Sequence, residues 1–242
     1  MSQTSSSETK EQFVHSVFES IAPKYDMMND LLSFRRHKAW RKFTMAKMNM
    51  SPGEIALDLC CGTCDWTISM AEASGGQIIG LDFSERMLEY GRLKVKERGL
   101  ESRITLVQGN AMELPFEDNR FDYVTIGFGL RNVPDLRQVL REMRRVVKPG
   151  GKVVCLELSK PTWQPFKGLY YFYFQNVLPM LGKLVAKRYE QYKWLPDSLV
   201  QFPGRAELAE IFRETGLTRV EAYPLTGGIA ALHIGTKETQ HV

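Results

Sequence analysis

Seven short apolar and β-branched runs punctuate the chain: IALDLCC (55–61), QIIGLDF (77–83), ITLVQGN (104–110), FDYVTIGFGL (121–130), GKVVCLELS (151–159), VEAYPLT (220–226) and AALHIGTK (230–237). The first five run apolar instead of alternating, the pattern of strands buried on both faces. Segments with a three-to-four residue period lie between them. DWTISMAEA (65–73) is one. SERMLEYGRLKVKERG (84–99) is another, with Ser84 placed to cap it, Met87, Leu88 and Leu93 on one face, and Gly99 to end it. VPDLRQVLREMRRVVKPGG (133–151) carries Leu136, Val139, Leu140, Met143, Val146 and Val147 in helical phase, and Pro149-Gly150-Gly151 stops it. GRAELAEIFRETG (204–216) is a fourth helix, ahead of the last two runs. This alternation predicts an α/β fold with a largely parallel sheet. The last two runs, joined by Thr226-Gly227-Gly228-Ile229, read as an antiparallel hairpin that completes seven strands.

Two parts stand outside the alternation. Residues 8–48 have a helical stripe of Phe13, Val17, Phe18 and Ile21. Residues 160–203 form an insertion that contains GLYYFYFQNVLPMLG (168–182). That stretch is shorter than the roughly 20 apolar residues of a membrane span, and Gln175, Asn176 and Pro179 interrupt it. It reads either as packing over the sheet or as a path for an apolar substrate. The chain accordingly divides into a disordered polar tail (1–10), an N-terminal helical segment on the substrate side (11–50), a nucleotide-binding type core (51–160), an aromatic insertion (161–203), and a C-terminal helix and hairpin that complete the core (204–242).

Composition narrows the class. A chain of 242 residues with 43% hydrophobic and 25% charged residues has enough apolar surface for one large domain. The formal net charge of +4 is mild and its basic residues are dispersed, so nucleic acid is not the expected partner. The polar start MSQTSSSETKEQ lacks the apolar core of a signal peptide, which predicts a cytoplasmic protein. Cys60, Cys61 and Cys64 invite a metal hypothesis, yet no second Cys/His pair stands at zinc spacing. With Cys155 they read as structural thiols in a reducing compartment, and no metal is expected.

In an open α/β sheet ligands bind beyond the carboxyl ends of the strands. After the first run comes Asp58-Leu59-Cys60-Cys61-Gly62-Thr63-Cys64-Asp65. Only Gly62 remains of the GxGxxG turn that a dinucleotide needs, which disfavours a nicotinamide or flavin enzyme. Asp82 closes the second run about 20 residues later, where an acid binds ribose hydroxyls. Asn110 and Ala111 follow the third run; the amide suits an adenine edge, or simply a turn. Arg131 and Asn132 follow the fourth, in GFGLRNVPD; they face the crevice, or form a helix cap beside a surface arginine.

Read together and in order, DLCCGT, GLDFSERML, GNAMELPFEDNRFD, GFGLRNVPD and VVKPGG resemble the class I methyltransferases that use S-adenosylmethionine. FESIAPKYDMMNDLLSFRRHKAWRK, KRYEQYKWLPDSLVQFPG and LTGGIAALHIGTK narrow the resemblance to the ubiquinone/menaquinone biosynthesis C-methyltransferase family, over residues 11–237. The cysteine-bearing first turn is most similar to the branch that acts on demethylated naphthoquinols. The resemblance implies a Rossmann-like class I fold. It implies S-adenosylmethionine contacts at Thr63, Asp82, Asn110 and Ala111, and Asp58 and Gly62 of the first turn are counted with them. This chain departs from the glycine-rich turn at Cys60 and Cys64, and has Gly127 where some members carry a serine.

The reaction so implied is methylation of a ring carbon of a reduced, prenylated naphthoquinol. A benzoquinol precursor or another small molecule remains an alternative, as does a binding scaffold without turnover. Arg131 is expected to stabilise developing enolate-like charge, and Arg131 and Asn132 together to hold a water that carries the proton. Tyr25 is expected to orient the quinol, with Asp26 a weaker candidate. His15 and His37 are available as bases but are expected on polar helix surfaces. A bilayer-borne substrate implies transient, peripheral contact with the inner membrane face. Trp163, Phe166 and Tyr170 of the insertion would then supply an apolar path to the pocket, and Lys183, Lys187, Arg188 and Lys193 would meet anionic headgroups, as would the basic–aromatic cluster Arg35, Arg36, Lys38, Trp40, Arg41 and Lys42. A homodimer is compatible with the family.

Overall fold

In the computed structural model, which describes residues 12, 14–161, 168 and 198–239, all seven apolar runs are strands. They are β1 (Ala56–Leu59), β2 (Ile78–Asp82), β3 (Ile104–Gln108), β4 (Phe121–Gly127), β5 (Val147–Leu158), β6 (Leu217–Leu225) and β7 (Ala230–Lys237). One sheet holds them in the order β3-β2-β1-β4-β5-β7-β6. The first five are parallel, and β7 runs antiparallel to both β5 and β6. The described helices include α1 (Tyr25–Leu32), α2 (Arg36–Met48), α3 (Asp65–Ser74), α4 (Glu85–Glu97), α5 (Leu136–Val146) and α6 (Arg205–Glu214). The chain works outward from β1 to β3, then returns to lay β4 beside β1. That reversal of direction opens a crevice at the carboxyl ends of β1 and β4.

Alternate strand residues feed two apolar layers. Leu57, Leu59, Val124, Ile126, Val153 and Cys155 pack with Val139, Leu140 and Met143 of α5 and Phe212 of α6. Ala56, Tyr123, Val154 and Leu156 pack with Trp66 and Met70 of α3 and with Trp40 and Met48 of α2. Each fully buried side chain of this size contributes about 1.5–3 kcal/mol, so the strand ends sit on a stiff base.

Local chemistry explains the boundaries. Ser84 Oγ accepts from Met87 N at 3.2 Å and starts α4; Gly99, at φ +64°, follows its end. Leu93 points outward, 58% exposed, and Met87, Leu88, Gly91 and Val95 make the buried face instead. The predicted helix 133–151 is shorter. Asp135 Oδ1 caps α5 by accepting from Arg137 N and Gln138 N, and Val147 already pairs with Phe121, so the VKPGG stretch belongs to β5. Strand β3 is less enclosed than expected: it is the sheet edge, and Thr105 and Gln108 are exposed.

The N-terminal helical stretch is broken. Residues 14–21 are helical, a 3-10 turn spans Ala22–Lys24, and α1 and α2 are separated by Phe34 and Arg35 at positive φ. Val17 is buried and Phe18 and Ile21 are half-buried, while Phe13 lies outside the described residues. Trp40 is 5% exposed, and its Nε1–H donates to Thr226 Oγ1 at 2.8 Å, tying α2 to the β6–β7 turn. It belongs to the core and not to a surface cluster. The tail 1–10 and the aromatic run 168–182, apart from Gly168, lie outside the described residues.

Candidate active site

The turn after β1 is built from left-handed backbone. Cys60, Gly62 and Cys64 have φ of 52°, 54° and 66°. Only glycine takes that conformation without cost, so the two cysteines hold the turn under mild strain. The backbone N–H of Gly62 donates to Asp82 Oδ2 at 2.8 Å, and that of Ser84 donates to Asp82 Oδ1 at 2.9 Å. Asp82 thus links the turn to the end of β2. Burial raises its carboxyl above the usual value, against the pull of those backbone bonds. Each oxygen still has acceptor capacity.

The cysteines fill space. A Cβ at Gly80 would meet Cys61 Sγ, and one at Gly91 would meet Cys64 Sγ, so two glycines on β2 and α4 make room for sulfur. Burial pushes the Cys60, Cys61 and Cys155 thiols well up, which keeps them protonated and inert. Among the described residues, no cluster of three His, Cys, Asp or Glu is placed to hold a metal.

Two cavities meet at this turn. The first encloses about 790 Å³ of space, some of it open solvent, and its lining includes Gly62, Asp82, Asn110, Ala111 and Asn132. The second, about 510 Å³ by the same measure, is lined in part by Arg41, Asp58, Thr63, Asp65 and Trp66. Tyr25, Cys60, Gly127 and Phe128 line both. Gly127 keeps the shared wall low, because a Cβ there would stand 2.8 Å from Trp66 Cε3.

The sequence-predicted residues fall as follows. Asn110 Oδ1 accepts from Met112 N at 2.9 Å, so its amide also builds the turn. Asp58 is 2% exposed and accepts from Thr67 Oγ1 and Thr125 Oγ1, both at 2.7 Å. Burial pushes its carboxyl up to about 6 despite those hydroxyls. Asn132 is buried, and its Nδ2 donates to Phe128 O at 3.4 Å. Tyr25 stands at the junction, with Cε1 3.6 Å from where a Cβ on Gly62 would be. Burial raises its phenol, so it is an O–H group at neutral pH.

Arg131 is placed differently from the crevice-facing group expected. Its Nη1 lies 2.5 Å from Glu157 Oε1 and 2.6 Å from Phe128 O, and its side chain is 7% exposed. It lines neither cavity. The charge is committed to a buried pair behind the Phe128 wall. Among the described residues its Nε–H is buried without a partner.

The N-terminal helices close one side. Thr63 Oγ1–H donates to Asp26 Oδ1 at 2.6 Å, and Lys94 Nζ lies 2.9 Å from Asp26 Oδ2 and 3.1 Å from Thr63 Oγ1. Lys94 also bonds Asp65, and Arg41 Nη1 lies 3.0 Å from Asp65 Oδ2. Burial of Asp65 opposes ionisation, but Arg41 and Lys94 hold its carboxyl below the usual value. His37 is buried, contrary to expectation. Its Nδ1 lies 2.6 Å from Ser33 Oγ, and burial and then Arg41 lower its pKa, so the ring is neutral. His15 is half-buried, lines the first cavity and meets Phe83 edge-on at 4.7 Å.

Sequence reasoning missed Glu157, Lys94 and Glu19. Glu157 was legible by the strand-end rule applied to β5. Lys94 and Glu19 carry no local signal, since Lys94 reaches Thr63 of the turn, and Glu19 reaches Ser84 after β2, each from a distant helix. Glu19 Oε1 accepts from Ser84 Oγ at 2.6 Å.

Comparison with known proteins shows what the whole chain resembles. The profile of the ubiE/COQ5 methyltransferase family matches residues 5–237. A demethylmenaquinone methyltransferase from Halalkalibacterium halodurans is 58% identical over 234 residues, covering 96% of this chain and 95% of that protein. One from Geobacillus stearothermophilus is 59% identical over 232 residues, covering 95% and 99%. In fold, the chain is similar to a SAM-dependent methyltransferase from Aquifex aeolicus, with a TM-score of 0.63 at 17% identity over 90% of this chain and 97% of the other.

Proposed function

The chain belongs to the ubiE/COQ5 methyltransferase family, and we propose that it methylates demethylmenaquinol to menaquinol with S-adenosylmethionine as donor. The observation that carries the substrate is the 58% identity to a demethylmenaquinone methyltransferase across 96% of the chain. The donor set also fits the cofactor. Asp82 offers a buried carboxylate for ribose hydroxyls, Asn110 and Ala111 flank a space for a base, and Gly127 leaves the wall between the cavities without a side chain. When bound, S-adenosylmethionine supplies an electrophilic methyl group.

The protein's own residues have three tasks. They hold the quinol ring against the cofactor cleft, and positioning of this kind carries much of such a barrier. Tyr25, a neutral phenol at the junction of the cavities, is assigned to orient a quinol hydroxyl. They also manage the proton of that hydroxyl, whose departure pushes electron density onto the ring carbon. Asn132, on the first cavity, is assigned to hold the water that carries it away. Finally, they stabilise the oxyanion that develops. Arg131, which lines neither cavity, serves this role through the Phe128 segment that it fixes, since Phe128 lines both. Asp26 is given no part in the chemistry, because Thr63 and Lys94 engage both its oxygens.

A polyprenyl substrate implies contact with a membrane surface. No helix among the described residues is long and apolar enough to cross a membrane. Met27 and Phe34 are 50% and 71% exposed beside exposed Arg35, Arg36 and Lys38, an apolar–basic combination that supports peripheral binding. The aromatic composition of 161–203 supports a lipid-side role for that segment.

The test is methyl transfer from labelled S-adenosylmethionine to reduced demethylmenaquinone, with a demethylated benzoquinol precursor in parallel. Product from the naphthoquinol alone is expected. Product only from the benzoquinol overturns the substrate, and product from neither, with cofactor bound, overturns the quinol reading.

A further inference from the structure

The segment at the end of β4 reads Gly127-Phe128-Gly129, and Phe128 has a φ of 58°. Backbone of that hand is costly for a bulky residue, and it persists where the surroundings enforce it, often at functional sites. Here the enforcing contacts are explicit. Phe128 N–H donates to Leu156 O at 2.8 Å, and Phe128 O accepts from Arg131 Nη1 at 2.6 Å and from Asn132 Nδ2 at 3.4 Å. The buried Arg131–Glu157 pair thus helps to hold a phenylalanine in a conformation that glycine adopts freely.

The flanking glycines cannot present a side chain in its place. A Cβ at Gly127 would stand 2.8 Å from Trp66 Cε3, and one at Gly129 would stand 2.5 Å from Cys60 Cβ. Of these three positions, Phe128 is the one with room for a side chain, and it lines both cavities. The residue is half-buried, and its ring lies beside Trp40, with centroids 6.2 Å apart and planes at 46°. Trp40 is itself tied to Thr226, so this aromatic wall is fixed by the fold. Phe18, Met87, Val133 and Pro134 extend an apolar lining through the first cavity, and Tyr25 and Asn132 add polar groups to it.

Filling space does not require this arrangement, because a side chain can pack from unstrained backbone. The strain has a purpose if the ring must stand at the junction of the cavities. Resting on the quinol reading above, we infer that the Phe128 ring is the surface against which the aromatic ring of the methyl acceptor stacks. A quinol is flat and uncharged until its proton leaves, so an aromatic wall binds it without desolvating a charge. Contact between two such rings is favoured in offset or edge-on arrangements. Arg131 and Asn132 then act on the acceptor at one remove, by fixing the carbonyl of the residue that holds the ring.

The test compares wild type, Phe128→Leu and Phe128→Tyr with reduced demethylmenaquinone and a demethylated benzoquinol precursor as acceptors. Calorimetry gives the affinity for S-adenosylmethionine in parallel. In Phe128→Leu, kcat/KM for the acceptor is expected to fall about 3- to 10-fold, the range for one aromatic pair. Phe128→Tyr keeps the ring and is expected to stay within about twofold of wild type. Cofactor affinity is expected to stay within about twofold in both variants, which also shows that they are folded; if Phe128→Leu fails to fold, Phe128→Met carries the comparison. An unchanged kcat/KM in Phe128→Leu overturns the stacking role. So does an equal loss in Phe128→Tyr, and so does a loss of cofactor affinity as large as the loss in kcat/KM. Wild type active on the benzoquinol alone overturns the naphthoquinol reading, and the same comparison on that ring still decides the role of Phe128. Wild type that binds the cofactor and methylates neither acceptor overturns both.

Discussion

Arg131 and Glu157 form a buried ion pair, Nη1 to Oε1 at 2.5 Å, with side chains 7% and 1% exposed. The backbone N–H of Arg131 also reaches Glu157 Oε2 at 3.3 Å. The pair fixes the segment after β4 against β5. Its partners are worth most when both are present, because a lone buried charge is costly.

Arg131→Ala is therefore expected to lower unfolding free energy by about 3–5 kcal/mol. The double variant Arg131→Met with Glu157→Leu is expected to recover most of that loss. Urea denaturation of wild type and these two variants makes the check. Arg131→Lys keeps the charge and loses the fork. Its turnover is expected to fall while affinity for S-adenosylmethionine stays near wild type. An equal loss of affinity would place Arg131 in cofactor binding and remove the oxyanion role.

Asp82 joins the Gly62 and Ser84 backbone N–H groups across the mouth of the first cavity. In Asp82→Asn one acceptor oxygen becomes a donor and faces an N–H. That mismatch costs roughly 1–3 kcal/mol, and the cofactor loses a charged acceptor. The dissociation constant for S-adenosylmethionine is expected to rise about tenfold or more. Titration calorimetry decides; unchanged affinity removes Asp82 from the site.

Asp58 sets a pH dependence. Its carboxyl moves from the ordinary 3.8 to about 6 on folding, because burial outweighs the Thr67 and Thr125 hydroxyls. A raised value in the folded state means that folding favours the protonated acid. The stabilising contribution is complete below about pH 4 and is lost as pH rises past about 6, a change of about 3 kcal/mol. Asp58→Asn has no such titration. The variant is expected to gain on wild type between pH 4.5 and 7.5 in denaturant unfolding. Parallel stability curves for the two proteins would show that Asp58 is not buried as a carboxyl.

The pattern of the chain carried the sheet. Apolar runs and their helical spacers located all seven strands, since burial in two layers leaves the same mark on sequence as on structure. Ser84 and Gly99 marked α4 because caps are local chemistry. The errors share one cause. His37 and Trp40 look like surface residues among Arg35, Arg36 and Lys38, yet both are buried, Trp40 against Thr226 far along the chain and His37 with its ring nitrogens on Ser33 and Asp30. Arg131 was placed at the correct strand end, but its partner Glu157 is 26 residues away on a neighbouring strand. Side-chain direction at a strand end depends on such partners, and local pattern does not encode them. The lining of the second cavity is of the same kind, because α1, α2, β1 and α3 all contribute to it.

Lys94 supplies the last prediction. From α4 it reaches Asp26 on α1, Thr63 in the turn and Asp65 at the start of α3. It is the cation that spans these three elements, and α1 carries Tyr25 to the junction of the cavities. The contacts are half-exposed, with Lys94 and Asp26 side chains 26% and 49% accessible, so each is worth at most about 1 kcal/mol. Lys94→Met removes all of them and keeps the length of the side chain. The local opening of α1 is then expected to become easier by about 1–2 kcal/mol, or roughly 5- to 30-fold. Hydrogen exchange measures this directly. Amides of residues 25–32 should exchange faster, while those of β4 and β5 keep their protection, because their stability rests on the two apolar layers. Slower turnover with intact sheet protection would follow from Tyr25 losing its fixed position. Unchanged exchange in 25–32 would mean that packing of Met28, 1% exposed, holds the helix without the ionic bridge.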